Sequence, residues 1–136
     1  MFVKNRSELR DIIIKILYQT YIFESFNEKY EINSLIKEFM ETKNDFVIDT
    51  ITYIKENEQK IFEIANKYLN NWTIDRISKV DKAILSLAIY EMLYTETPSI
   101  VCINEAIELS KKYSDENVTK MINATLDKIF HTEVNE

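Results

Sequence analysis

The chain of 136 residues contains no glycine. Phosphate loops, dinucleotide fingerprints and nucleophile elbows all use glycine where the backbone turns with positive φ or approaches a ligand closely. Nucleotide-dependent chemistry of those kinds is excluded. Cysteine occurs once, as Cys102, so no internal disulfide can close, and its neighbours Val101 and Ile103 mark it as a small core residue rather than a reactive thiol. The single histidine, His131, stands near the C-terminus with no Cys or His neighbour, which points to an exposed residue and not to a metal ligand or a base. No metal and no cofactor are expected. Catalytic options shrink to carboxylates and lysines, which charged helix faces account for. No apolar run approaches the roughly 18 residues that span a bilayer. Residues 1–8 are polar, and Lys15 interrupts the apolar run 12–17, so neither an export signal nor a membrane role is expected and the cytoplasm is the expected location.

What the chain does contain suits a helical core. Hydrophobic residues make up 46% of it, enough for one domain over residues 1–136. With a single proline, Pro98, few residues interrupt helix, and Asn, Asp and Ser must supply the caps. The pattern predicts an all-α bundle of about seven helices in two packed three- to four-helix subdomains, 1–70 and 71–136, meeting near residues 70–74. Helix one opens at Asn5 with Glu8 as capping-box partner and carries Leu9, Ile12, Ile13, Ile16 and Leu17 to about Phe23. A second helix is expected over 32–42. A longer third runs from Asn44 or Asp45 to Leu69, where Asn70 and Asn71 can take the left-handed cap that glycine usually fills. A short helical turn at 74–77 leads into 80–94, apolar nearly all round and therefore central. Helices over 100–113 and 115–130 complete the reading.

The run Trp72, Arg76, Val80, Asp81, Ala83, Ile84, Leu85, Leu87, Ala88, Tyr90 and Glu91 is followed by Pro98, Val101, Ile103, Asn104, Glu105, Ala106, Glu108 and Leu109, and continues through Lys111 and Tyr113 to Asn123, Leu126 and Asp127. It resembles the signature of the NusB family of transcription antitermination factors over most of residues 72–129. Arg6, Arg10, Leu17 and Tyr18 are similar to that family's arginine-bearing first helix. Residues 24–70 agree only in length and helical character. The resemblance implies an RNA-binding, non-enzymatic subunit of an antitermination complex that pairs with the ribosomal protein NusE, binds a boxA-like single-stranded leader RNA and works with the transcription elongation complex. It leaves monomer and homodimer both open.

RNA binding needs cations on one surface, yet the net charge is −6 and the pI near 4.9. Lys4, Arg6, Arg10 and Lys15 against Glu8 and Asp11 make residues 4–15 the one basic segment of length. Arg6 and Arg10, one helical turn apart, are expected to be exposed and to grip phosphates or base edges. Tyr18 is a candidate for stacking on a base. A second candidate patch gathers Lys111, Lys112, Asn117 and Lys120 around the N-terminus of the last helix, where unpaired N–H groups favour anions and Asp115 and Glu116 oppose them. Family members often carry an aromatic residue where this chain has Met121, which removes a stacking platform and increases dependence on the partner. Asp81 and Glu91 are the candidate contacts to that partner, Asp81 being the better one. Glu91 also reads as a buried carboxylate with a partner such as Arg76 or a backbone donor, Asn104 and Asn123 as internal hydrogen-bonding residues, and Trp72 as a packing anchor between the halves.

Two other readings compete. A helical protein–protein adaptor without its own RNA affinity is favoured by the acidic pI and by Met121. A NusB-like fragment of an RNA cytosine methyltransferase is disfavoured by the absence of a glycine-rich cofactor loop.

Overall fold

The first helix, α1 (Arg6–Ser25), starts where Asn5 closes a capping box. The Asn5 side-chain oxygen accepts from the Glu8 backbone N–H at 2.8 Å, and the Glu8 carboxylate accepts from the Asn5 N–H at 3.4 Å. Asn27, with φ 55°, turns the chain away after the helix. The computed structural model describes residues 4–134. The ends of the expected domain, 1–3 and 135–136, lie outside the described residues.

Six more helices follow: α2 (Ile32–Phe39), α3 (Asp45–Glu56), α4 (Glu58–Tyr68), α5 (Lys79–Tyr94), α6 (Ser99–Tyr113) and α7 (Glu116–Glu133). Among the described residues there is no strand, and the fold is all-α. Side-chain caps from Glu31, Asn44, Ser78 and Asp115 start α2, α3, α5 and α7, doing the work expected of Asn, Asp and Ser in a chain without glycine. Several boundaries differ from expectation, α2 ending at Phe39 rather than 42 and α7 running to Glu133 rather than 130. The stretch read as one helix over 44–69 breaks at Asn57, whose side-chain amide donates to the Tyr53 carbonyl at 2.9 Å and competes with the helical bond there. Residues 74–76 form a turn rather than a helix.

Every residue from 83 to 92 is buried, and α5 packs against α1, α3, α4, α6 and α7. The reason is compositional. Ala83, Ile84, Leu85, Leu87, Ala88 and Ile89 present apolar surface in all directions, so the helix is stable only when enclosed. Full burial of each large aliphatic side chain contributes about 1.5–3 kcal/mol. Leu85, Ile13, Ile51, Ile61 and Ile122 are 0% exposed and belong to one cluster extending from Leu9 to Ile129. Truncating Leu85 to Ala leaves a cavity at its centre and costs about 2–5 kcal/mol.

Candidate nucleic-acid interface

Arg6 and Arg10 share a side of α1 but have different environments. Arg10 is 4% exposed. Its Nε donates to Glu91 Oε1 at 2.7 Å and its Nη2 to Glu91 Oε2 at 2.9 Å, while Nη1 lies 3.2 Å from Glu105 Oε1. The fork-on-fork geometry satisfies the carboxylate inside the protein. Burial acts to depress the Arg10 pKa, and the hydrogen bond and charge of Glu91, with Glu105, outweigh it and hold the pKa above its ordinary value. Arg10 therefore is not the exposed cation expected of it. Glu91 is a buried, paired carboxylate as expected, 1% exposed, and its partner is Arg10 rather than Arg76 or a backbone donor. Cys102 lies against this pair, and burial together with the Glu91 charge pushes its thiol up to about 12.

Arg6, one turn earlier, is exposed and lies over the ring of Phe46 from α3, its guanidinium carbon 3.9 Å from the centroid. Among the described residues no carboxylate lies within 4.0 Å of it. Nearby Lys4 shares a 530 Å³ groove between α1 and α6 with Lys15 and Lys112. The same groove holds Glu8, Asp11, Glu105 and Glu108, so it is not simply basic. Its carboxylates are largely engaged. Asp11 accepts from the Tyr113 hydroxyl at 2.5 Å and pairs with Lys15 at 3.0 Å and Lys112 at 3.2 Å. Burial would raise the Asp11 pKa, and these donors more than reverse it, leaving it below its usual value. Glu105 accepts from Ser7 at 2.6 Å besides meeting Arg10, and Glu8 serves the capping box.

The lysines of the second candidate patch each lie near a carboxylate. Lys112 turns toward α1, Lys111 pairs with Glu108 at 3.4 Å, and Lys120 pairs with Glu116 at 3.6 Å. Exposed pairs of this kind hold little energy and leave the lysines able to exchange partners. The Val118 N–H at the start of α7 is occupied by the Asp115 side chain at 2.9 Å. Asn117 is exposed and joins a different groove, of 310 Å³, with Trp72, Arg76 and Met121. Trp72 is 52% exposed and not a buried packing anchor; it follows Asn71, whose φ is 66°. Sequence reasoning missed it as a surface group; the usable signal was its place beside the Asn70–Asn71 pair, off any helical stripe. Asn104 and Asn123 are also exposed, not internally bonded.

Tyr18, 38% exposed, borders a 460 Å³ apolar groove with Ile14, Phe39, Val80 and Tyr113. Asp81 is 4% exposed and serves the fold: Ser78 Oγ donates to its Oδ2 at 2.6 Å and Ser114 Oγ donates to its Oδ1, joining the start of α5 to the end of α6. Both oxygens are engaged in hydrogen bonds within the fold.

Seven helices, one of them central and buried, with a guanidinium over an aromatic ring at the start of α1, define a small all-α helical-bundle protein. The chain belongs to the NusB family, whose profile matches residues 7–131. A curated relative, the transcription antitermination protein NusB of Clostridium tetani, is 43% identical over 117 residues, covering 78% of this chain and 76% of the relative. Among solved structures, NusB of T. maritima superposes with a TM-score of 0.83 at 31% identity, covering 96% of this chain and 94% of that one. A chain from the crystal structure of antitermination factors NusB and NusE in complex with dsRNA has the same fold, with a TM-score of 0.77 at 24% identity over 93% of this chain and 96% of that one.

Proposed function

We propose that this antitermination factor acts by binding rather than catalysis, holding a boxA-like single-stranded leader RNA jointly with the ribosomal protein NusE and thereby joining the transcription elongation complex. The observation that carries the reading is Arg6, an exposed guanidinium whose carbon lies 3.9 Å from the Phe46 ring centroid, with exposed Lys4 two residues earlier in the chain. Stacking on the ring fixes the fork before a ligand arrives, which lowers the ordering cost of gripping a phosphate or a base edge. A protein of this fold has been crystallised with NusE and double-stranded RNA, which supports NusE and RNA as joint ligands here, the single-stranded form of the RNA being the family expectation.

Electrostatics shape how binding proceeds. A net charge of −6 repels phosphate, and much of the lysine charge near α1 and α6 is already paired with carboxylates. The isolated chain therefore binds RNA weakly, and a partner that adds phosphate contacts from the neighbouring surface makes assembly cooperative. Linkage requires NusE to tighten RNA by the same factor by which RNA tightens NusE. Titration of fluorescently labelled boxA-like RNA, with and without saturating NusE, tests this. An RNA affinity that NusE leaves unchanged, or that is absent in both titrations, sinks the reading and favours the adaptor without RNA affinity.

A further inference from the structure

We propose that Asp11 is a built-in brake on RNA binding: its carboxylate holds the ammonium groups of Lys15 and Lys112, and an RNA phosphate gains those two lysines only by displacing it. The proposal rests on the RNA-binding reading above and adds how the chain itself regulates that surface.

Asp11 and Lys15 stand one turn apart on α1, and Lys112 reaches across the groove from the last turn of α6. Lys15 Nζ lies 3.0 Å from Asp11 Oδ2, and Lys112 Nζ donates to Oδ1 at 3.2 Å. Two cations thus share one anion. Side-chain exposure is 16% for Asp11 against 46% for Lys15 and 59% for Lys112, so the carboxylate is the shielded member and the lysines reach solvent.

The Tyr113 hydroxyl donates to the same Oδ1 at 2.5 Å, which gives the arrangement two satisfied states. Burial, followed by the hydrogen bond and charge of Asp11, holds the Tyr113 pKa above its ordinary value and keeps the hydroxyl a donor. When the lysines turn to a phosphate, the carboxylate keeps this bond and is not stranded. Without a phosphate it recaptures both. Ion pairs of exposed lysines are individually weak, so a polyanion that releases counterions can break them, yet each lowers the affinity it competes with.

Among the described residues the other carboxylates of the groove hold none of its lysines. Glu8 accepts from the Asn5 N–H, Glu105 accepts from Ser7 and meets Arg10, and Glu108, 71% exposed, pairs with Lys111. Asp11 is therefore the carboxylate whose removal frees groove cations.

With NusE saturating, labelled single-stranded boxA-like RNA is titrated by anisotropy at several salt concentrations against the parent chain and Asp11→Asn, which keeps an acceptor for Tyr113. The variant should bind RNA roughly 2- to 10-fold tighter, as expected for removing competition from two exposed ion pairs, and steepen the slope of log K against log salt by about 0.7. Asp11→Ser is a second uncharged variant, and circular dichroism checks that each folds. Glu108→Gln removes the same charge from the same groove without freeing Lys15 or Lys112 and should change affinity by less than about 2-fold. In a chain carrying Lys15→Gln and Lys112→Gln, Asp11→Asn should lose its effect. Parental affinity and slope in both uncharged variants overturn the brake and leave the RNA-binding reading intact. A gain that Glu108→Gln matches, or that survives the loss of both lysines, overturns it too, because bulk charge then accounts for it. No RNA binding by any form overturns both.

Discussion

Arg10 and Glu91, 81 residues apart in sequence, form a two-pronged ion pair that locks α1 to the central helix α5, at 2.7 and 2.9 Å. Glu105 extends it to α6 at 3.2 Å, so one guanidinium ties together three helices. Removing one member strands a buried charge. Arg10→Ala or Glu91→Ala should each lower unfolding stability in urea by about 3–5 kcal/mol, and the pair replaced together by Met and Leu should recover much of that loss. A loss under 1 kcal/mol in both single variants would contradict the burial argument. RNA binding lost by Arg10→Ala would therefore report damage to the scaffold, not a missing phosphate contact.

Asp81 is the second hinge of the architecture. With Ser78 and Ser114 both donating to its carboxylate, Asp81→Ala leaves two hydroxyls seeking partners and should cost about 1–3 kcal/mol by thermal or chemical unfolding. Asp81→Asn, which keeps an acceptor, should cost less. Asp81→Lys buries a cation where two donors point and should be the worst of the three. If the Lys variant were as stable as the parent, the carboxylate would have to be free on the surface, contrary to its 4% exposure.

How far the fold could be read from the residues depends on how local its causes are. Asn5 and Glu8 identify the start of α1 because both halves of a capping box lie within one turn. The central place of α5 follows from apolar residues on all its sides. The break at Asn57 was hidden, since both flanks are helical in character and the competing bond to Tyr53 is a single event. Arg10 was misplaced for a different reason. Helical spacing puts it with Arg6, but its burial is decided by Glu91 and Glu105, whose positions only the packed helices reveal. Trp72 is a different case: its exposure was legible from its place after the Asn70–Asn71 pair, outside any helical stripe.

Cys102 offers a pH test of the core. Its pKa is pushed from 9.0 to about 12 by burial first and by the Glu91 charge next, so folding disfavours the thiolate. The folded pKa is the higher one. Its contribution to stability is thus fully present below pH 9.0 and is lost as pH rises toward about 12, where both states ionise. Cys102→Ser should flatten the stability profile over that window. At neutral pH a disulfide reagent should label the thiol only as fast as the protein opens, because the folded thiol is 2% exposed and protonated. Immediate labelling of the native protein would show the thiol to be accessible.

The last prediction separates charge from scaffold at the start of α1. Lys4 and Arg6 are both exposed, and Arg6 leans on Phe46 without an acidic partner among the described residues. Replacing both with Ala should lower urea stability by no more than about 1 kcal/mol, the loss of the Arg6–Phe46 contact. RNA affinity in the presence of NusE should fall, and the slope of log K against log salt should become shallower by about 1.4, since each phosphate contact to single-stranded RNA contributes about 0.7. Phe46→Leu should act differently. It keeps the charge but removes the ring that orders the guanidinium, so affinity should drop by a few-fold while the salt slope stays near the parent value, and Phe46→Tyr should restore it. The comparison is made by anisotropy at several salt concentrations with one labelled RNA. A parental slope in the double variant would move the phosphate contacts away from α1, and a slope that falls in Phe46→Leu as far as in the double variant would show that the ring maintains the contact itself rather than its orientation.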